Sequence, residues 1–322
     1  MLYPIKLTAP LKDYLWGGTR LKNEYGKQTD LEKVAESWEL SCHKDGLSVI
    51  ANGEYAGKTL AAYIEEQGKA VLGTKAAAFP YFPLLIKLID AKDNLSVQVH
   101  PNDDYAFHAE HEYGKTEMWY VVDAEPGASL VYGVNNVILR TEFAERIKNN
   151  TLLDICNKVP VKKGDVFFIE AGTLHAIGKG ILICEIQQNS NTTYRVYDYG
   201  RVGADGKPRE LHIEKAQDVT RLAPTVRDVK PQFCFNILGR GNTLDLLAEC
   251  EYFTVFHLTV QDYFDLTVGV DSFQAITVLD GALTLAAGEH KIDVKKGETL
   301  FLPANLGDYR LTGQGDLIIS KV

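Results

Sequence analysis

The segment VKKGDVFFIEAGTLHAIG occupies residues 161–178, and a related segment, VKKGETLFLPANLGDYRL, occupies residues 294–311. Both copies begin with VKKG and continue with the apolar and aromatic residues that are typical of a strand. When the two copies are aligned on the shared glycine, His175 of the first meets Asp308 of the second. The repeat predicts two units of similar architecture, of which only the first has a histidine at this position.

Around the two copies, most of the chain is predicted to form short β-strands. Stretches rich in β-branched and aromatic residues alternate with Gly, Asp, Asn and Pro, which is the pattern of strands joined by turns. Helical patterns are fewer and lie around residues 57–70, 101–112 and 141–150. We therefore predict a mainly β fold with two jelly-roll β-barrel units and a small helical part inserted.

A polar segment around residues 213–232 divides the chain. It lacks a β pattern and is interpreted as a helix or loop that joins two halves, because strand-like sequence returns from about residue 233. The predicted domains are therefore an N-terminal domain over residues 1–230 and a C-terminal domain over residues 231–322.

The composition excludes several classes of partner. The net charge of −9 disfavours nucleic acid, which requires a basic surface, although a few local cations can still bind an anionic substrate. The longest apolar run, residues 79–89, is too short to cross a membrane, so no membrane partner is expected. The opening residues lack a secretory signal pattern, and five scattered cysteines without CxxC spacing indicate reduced thiols, so we expect a cytoplasmic protein.

Two stretches place potential metal ligands side by side. In LSVQVH, residues 95–100, strand alternation puts Ser96, Gln98 and His100 on one face, where a carbonyl oxygen and a ring nitrogen could bind a cation such as zinc. The alternative is an edge strand with one solvated face. In GKTEMWYVV, Lys115 and Glu117 likewise share one face of a strand, a pattern that is also common on exposed strands.

The order of these residues is similar to the cupin signature. That signature has an H-x-H and a Glu, followed by Gly, five residues, Pro-x-Gly, two residues and His. Here Gly164 is followed by five residues, Glu-Ala-Gly, two residues and His175, while Gln98 replaces the first histidine. With SVQVHPNDDYA, GKTEMWYV, IEAGTLHAIG, TYRVYDYGR, WGG and ESWELS, the chain closely resembles class I mannose-6-phosphate isomerase in its short bacterial form.

The resemblance implies a fold, a reaction and a metal site. It implies a catalytic cupin followed by a degenerate one, interconversion of mannose 6-phosphate and fructose 6-phosphate through an enediol, and a monomer acting on a small sugar phosphate. It also implies one Zn²⁺ per chain, whose ligands match the family positions Gln98, His100, Glu117 and His175. Asp308 would then belong to the unit that has lost the chemistry.

Three further residues are candidates for substrate contact. The resemblance implies that Arg195 is the family's active-site arginine, and its fixed charge could stabilise the enediolate or the phosphate. Lys115 could transfer the proton if desolvation lowers its pKa, or it could bind the phosphate. Ser96, which shares the ligand face of its strand, is the other candidate substrate contact.

Two alternative functions remain open from the sequence. One is another metal-dependent cupin enzyme such as an oxygenase, although Gln98 in place of a histidine favours a redox-inert ion. The other is a non-enzymatic, sugar-binding bicupin. That alternative predicts a degenerate ligand set in both units, whereas only the C-terminal unit lacks one here.

Overall fold

The computed structural model describes residues 2–203, 206–225, 233–236 and 241–322. Its strands are β1 (Ile5–Thr8), β2 (Leu11–Lys12), β3 (Glu36–Leu40), β4 (Cys42–His43), β5 (Gly46–Leu47), β6 (Val49–Ile50), β7 (Leu84–Ala91), β8 (Val97–Val99), β9 (Glu117–Ala124), β10 (Ser129–Val134), β11 (Cys156–Pro160), β12 (Val166–Ile169), β13 (His175–Ala176), β14 (Ile181–Gln188), β15 (Tyr194–Tyr197), β16 (Phe233–Asn236), β17 (Thr243–Glu249), β18 (Thr254–Val260), β19 (Tyr263–Val268), β20 (Gln274–Ala287), β21 (His290–Lys295), β22 (Thr299–Leu302) and β23 (Gly307–Lys321). Its helices are α1 (Arg20–Asn23), α2 (Leu60–Gln67), α3 (Gly73–Ala76), α4 (Asp103–Ala109), α5 (Arg140–Lys148) and α6 (Ile213–Val219), with 3-10 turns at Lys69–Leu72 and Leu152–Ile155.

The first unit is built from two antiparallel sheets. One has the strand order β11-β10-β13-β8-β15 and the other β12-β9-β14-β7-β3-β2. An apolar core that includes Trp119, Tyr132 and Phe167 lies between them, because alternate residues of the facing strands point inward. Every residue of β7 is buried, which explains why its sequence, LLIKLIDA, shows no alternation of apolar and polar residues.

The second unit is built on a single, larger sheet of ten strands. Its main path runs β16-β17-β18-β23-β20-β22-β1-β6, so that β1, from the beginning of the chain, pairs with β22, where Leu7 lies opposite Thr299. Apolar side chains such as Leu283, Leu300 and Leu317 fill the interior of this unit. A separate core connects the two units, because Ile86 of β7 packs in the same cluster as Phe301 of β22.

The repeated sequence folds into the same local turn in both units. Gly164 and Gly297 have φ angles of 88° and 82°, a left-handed conformation that glycine adopts without steric cost. Each glycine precedes a short buried strand, β12 in the first unit and β22 in the second. The repeat therefore preserves a turn that the architecture needs.

The predicted mainly β fold with few helices is confirmed. Helices α2 and α4 lie inside the segments predicted around 57–70 and 101–112, and α5 begins one residue before the segment predicted around 141–150. Helix α6 lies in the segment predicted to join the halves. The predicted domain boundary between residues 230 and 231 falls outside the described residues and stays a prediction. In the described part of the chain, the structure contains no helix that is both long and apolar enough to span a membrane.

Candidate metal centre

The candidate metal ligands come together at one end of the first unit. Gln98 lies in β8 and pairs directly with His175, the first residue of β13, while His100 follows β8. Glu117 begins β9 in the opposite sheet. The cluster therefore forms where the two sheets meet, and neither sheet alone could assemble it.

The atoms of this cluster are close enough to share one ion. Nε2 of His175 lies 3.1 Å from Nε2 of His100 and 3.2 Å from Oε1 of Glu117, and Nε2 of His100 lies 3.9 Å from Oε2 of Glu117. The side-chain amide of Gln98 reaches the same point, with its nitrogen 3.4 Å from Nε2 of His175. Rotating this amide by 180° exchanges its nitrogen for its oxygen, so it can present either atom.

The protonation states of the two histidines suit a cation. Glu117 is fully buried, and neither of its oxygens accepts a hydrogen bond. The ammonium of Lys115 lies near Oε2, whereas Oε1 faces the ring nitrogen of His175, an arrangement that a metal ion between them would stabilise. Burial raises the pKa of Glu117 and lowers the pKa of His100 and of His175, the last to about 4. Both histidines are therefore neutral at pH 7, which is the form that binds metals. Within the described residues, no other group of three or more His, Cys, Asp or Glu side chains converges in this way.

A cavity of about 300 Å³ opens next to the cluster and contains all the predicted substrate contacts. Its wall includes Ser96, Lys115 and Arg195 together with Gln98. Lys115 is buried, and its ammonium nitrogen lies 3.3 Å from Oε2 of Glu117. A larger, open groove of about 780 Å³ lies elsewhere, but none of the clustered ligands lines it.

Three further buried charged residues line the same cavity and are not predicted by the sequence motifs: Lys87, Glu36 and Glu185. Nζ of Lys87 lies 3.2 Å from Oε1 of Glu185 and 3.7 Å from Oε2 of Glu36. Both carboxylates also accept a hydrogen bond from an indole, Glu36 from Trp38 and Glu185 from Trp119. The sequence contains one signal of this network. Lys87 lies inside the otherwise apolar stretch of β7, and a charged residue in such a position is rarely buried without a partner.

The second unit has no comparable site among its described residues. Asp308, which occupies the position equivalent to His175, is exposed and accepts a hydrogen bond from Thr267. The interior beneath it is filled by leucine, isoleucine and valine side chains. The histidine is therefore present only in the copy that has a polar cavity beside its core.

Two antiparallel sheets that bring together buried His, Glu and His side chains able to hold a metal ion define the cupin class. Residues 5–126 match the family profile described as phosphomannose isomerase type I, catalytic domain, and residues 242–322 match mannose-6-phosphate isomerase, cupin domain. The chain belongs to the type I mannose-6-phosphate isomerase family and is an isomerase.

Several similar proteins cover almost the whole length of the chain. Mannose-6-phosphate isomerase ManA of Bacillus subtilis is 38% identical over 99% of both chains. The crystal structure of mannose 6-phosphate isomerase from Bacillus subtilis superposes with a TM-score of 0.89 and 35% identity, covering 99% of both chains. A structure described as mannose 6-phosphate isomerase (holo; zinc bound) has a TM-score of 0.76 at 18% identity, covers 98% of each chain and shows the same fold.

Proposed function

We propose that this enzyme interconverts mannose 6-phosphate and fructose 6-phosphate by transferring a proton between C1 and C2 through an enediol. The observation that carries the proposal is the fully buried Glu117, whose oxygens accept no hydrogen bond and face the ring nitrogens of His100 and His175 beside an open cavity. This donor set fits a divalent cation, and the cavity leaves room for a substrate next to it. Membership in the isomerase family supports this choice of reaction.

We propose Zn²⁺, one per chain, as the resident ion, with Gln98, His100, Glu117 and His175 as its ligands. Nitrogen and oxygen donors suit this borderline ion, and three neutral ligands with one carboxylate leave a net positive charge at the site. When bound, the ion supplies Lewis-acid polarisation of the sugar carbonyl and stabilises negative charge that develops on the enediolate.

The residues of the cavity wall have separate roles in this proposal. Lys115, buried next to Glu117, moves the proton between C1 and C2. Arg195 supplies a permanent positive charge and binds oxygens of the sugar phosphate, as a guanidinium can do with two parallel hydrogen bonds. Ser96 donates its hydroxyl hydrogen to the sugar and so orients the chain of carbon atoms.

The decisive experiment measures interconversion of the two sugar phosphates by purified protein before chelation, after chelation and after Zn²⁺ is restored. We expect activity that chelation removes and zinc returns, with no turnover of unphosphorylated mannose at the same concentration. A folded, zinc-containing protein that is inactive on both sugar phosphates would overturn the reaction while leaving the metal site intact. Oxygen consumption by the metal-loaded protein would instead favour an oxygenase.

We further propose that the chain acts as a monomer in the cytoplasm and that neither nucleic acid nor a membrane is a partner. The acidic charge of −9 supports the exclusion of nucleic acid. Sedimentation analysis of the metal-loaded protein tests the oligomeric state, with a single species of about the chain mass, 35.8 kDa, expected.

A further inference from the structure

One part of the cavity wall is neither strand nor helix. Residues 189–193, which we call the strap, connect the end of β14 to the start of β15, and Asn191 and Thr193 of the strap line the cavity. The strap leads directly into the strand that carries Arg195, another residue of the wall. The position of the strap therefore sets the shape of the space in which a substrate binds.

The first residues of the strap are fixed from inside the first unit. The side-chain amide of Gln187, which is fully buried, donates to the backbone carbonyls of Gln188 and Ser190, both at 2.7 Å. Gln188 in turn donates its backbone N–H to the carbonyl of Thr116 at 3.1 Å and accepts the N–H of Thr116 on its side-chain oxygen at 2.9 Å. This end of the strap is thus part of the rigid sheet.

The outer part of the strap is held by Glu112, which lies between α4 and β9. Oε2 of Glu112 accepts hydrogen bonds from the backbone N–H of Asn191 and the hydroxyl of Thr192, both at 3.3 Å. Oε1 lies 2.7 Å from Nζ of Lys44 and 3.4 Å from Nε2 of His43. Burial alone would raise the pKa of Glu112, but the hydrogen bond from Lys44 and the contact with His43 lower it, so the carboxylate is charged at neutral pH.

The hairpin of β4 and β5 anchors this carboxylate to the core. His43 is buried, and its ring packs edge-on against that of Trp38, with 5.9 Å between the centroids. The same hairpin contacts the strap directly, because the side-chain amide of Asn191 donates to Asp45 at 2.8 Å. Glu112 therefore joins three segments that are far apart in sequence: the hairpin, the connection between α4 and β9, and the strap.

Thr193 is the residue through which the strap can act on a substrate. It is half-buried in the cavity wall, and the described residues provide no hydrogen-bond partner for its hydroxyl. A hydroxyl can both donate and accept, so it matches the hydroxyl groups of a sugar. Glu112, by contrast, does not line the cavity and can influence a substrate only through other residues.

We propose that Glu112 is a positioning residue that clamps the strap, and that the clamped strap presents the hydroxyl of Thr193 to a hydroxyl of the sugar. The inference rests on the proposed function and deepens it, because it assigns Glu112 and Thr193, which have no role in the metal site or in proton transfer. The clamp holds the strap before the substrate arrives, so that binding does not have to order it.

The kinetic test compares Glu112→Met, Glu112→Gln and Thr193→Val with Glu66→Gln as the matched control. Glu66 pairs with the exposed Lys58 and does not line the cavity. Glu112→Met and Thr193→Val should each raise KM for mannose 6-phosphate by about 3- to 10-fold, with little change in kcat or metal content. Glu112→Gln keeps one oxygen that can accept from the strap, so it should recover part of the loss.

The double variant shows whether Glu112 acts through Thr193. If it does, combining Glu112→Met with Thr193→Val should raise KM no more than the larger single effect, because both remove the same contact. Two factors that multiply would overturn this route. A fall in kcat with KM unchanged would also overturn it, because it would indicate a loss of active protein or a disturbance of Lys115, which follows Glu112 in the chain.

Hydrogen exchange of the metal-loaded protein separates the clamp from the reaction, because it does not depend on turnover. Glu112→Met should speed amide exchange in the strap, where Asn191 loses its acceptor, whereas Glu66→Gln should leave it unchanged. Faster exchange of the strap in a protein inactive on sugar phosphates would support the clamp and overturn the reaction. An active isomerase with unchanged KM and unchanged exchange would overturn the clamp alone. If Glu112→Met does not fold, Glu112→Gln decides the outcome.

Discussion

At the scale of single residues, His175 is fixed by a hydrogen bond outside the cluster. Its Nδ1 lies 2.8 Å from the carbonyl oxygen of Thr173, and because a carbonyl can only accept, Nδ1 carries the proton. Nε2 is then the free nitrogen, and it points to Glu117 and His100. The backbone of the turn before β13 thus selects the tautomer that can bind a metal.

Replacement of His175 by alanine is expected to abolish metal retention. Only three of the four proposed ligands would remain. Isomerase activity should fall by more than about 100-fold, which exceeds the loss expected when a residue that only hydrogen-bonds to a metal ligand is removed. Metal content per chain and turnover should be measured together, with His108→Ala, on the exposed face of α4, as the control. Full metal content in His175→Ala would contradict the assignment.

Lys115→Met tests the proposed proton transfer against phosphate binding, the alternative role that the sequence leaves open for this lysine. As the proton-transferring group, its loss should lower kcat by about 10²- to 10⁴-fold while KM and metal content change little. Steady-state kinetics on mannose 6-phosphate, with metal analysis of the same sample, make the measurement. A large rise in KM with kcat retained would instead assign Lys115 to phosphate binding.

At the scale of elements, three buried strands each contribute one charged residue to the cavity wall. Lys87 lies in β7, Glu36 in β3 and Glu185 in β14, and these strands are neighbours in one sheet. Burial alone would lower the pKa of Lys87, but Glu36 and Glu185 raise it above its ordinary value, so Lys87 stays charged at neutral pH. These charges come together because β14, β7 and β3 are neighbours in the sheet, and a local sequence pattern does not determine that order.

Lys87→Met is expected to destabilise the protein strongly, because it leaves two buried carboxylates without their shared cation. The cost should be about 3–5 kcal/mol, as for other broken buried ion pairs. Urea unfolding measures it, and Lys6→Met, which removes a partly exposed pair with Glu298, should cost less than about 1 kcal/mol. Equal effects of the two substitutions would show that the buried network contributes little.

A second link between elements predicts a pH dependence of stability. Glu110, at the end of α4, accepts hydrogen bonds from Tyr194 of β15 at 2.8 Å and Lys215 of α6 at 2.6 Å. Burial alone would raise the pKa of Glu110, but these hydrogen bonds lower it below its ordinary value. Its contribution is therefore present above the unfolded pKa and is lost as the pH falls through the lower folded pKa.

Glu110→Gln tests this linkage. The variant should be less stable than wild type by about 1 kcal/mol at pH 7, and the difference should shrink at pH values below the ordinary range of a glutamate. Urea unfolding at a series of pH values measures both curves. A difference that is constant from pH 7 to pH 3 would show that the carboxylate charge is not involved.

The sequence predicts the local parts of the site better than the parts that depend on sheet order. Ser96 and Gln98 could be placed on one face because strand alternation is a local rule, and both line the cavity. The network of Lys87 with Glu36 and Glu185 could not be predicted, because its members lie on separate strands that become neighbours only in the complete fold. Arg209, which also lines the cavity, was missed for the same reason, since only the packing of its segment onto β15 brings it there.

At the scale of the whole molecule, aromatic packing joins the two units. The ring of Phe273 lies 5.4 Å from that of Phe82 and 5.2 Å from that of Phe301, measured between centroids. Phe82 precedes β7 of the first unit, whereas Phe273 and Phe301 belong to the second. The second unit therefore supports the outer face of the sheet that carries Glu117.

Phe273→Ala is expected to lower the free energy of unfolding by about 3–5 kcal/mol through the cavity that it leaves between the units. Urea unfolding measures this, and Val270→Ala, at a side chain that is 63% exposed, is the control. Activity at low temperature should remain near wild type, because no residue of the active-site cavity is changed. A stability equal to that of the control would show that the two units do not depend on this contact.

Strand β1 acquires its second neighbour very late during synthesis of the chain. Lys6 of β1 and Glu298, which form an ion pair at its junction with β22, are 292 residues apart. At about 5–20 residues per second, a ribosome needs roughly 15–60 s to cover that distance. Throughout that interval one edge of β1 is open to pairing with any other exposed strand. We therefore expect a nascent chain that stalls before β22 to expose an unpaired strand edge, a feature that favours aggregation.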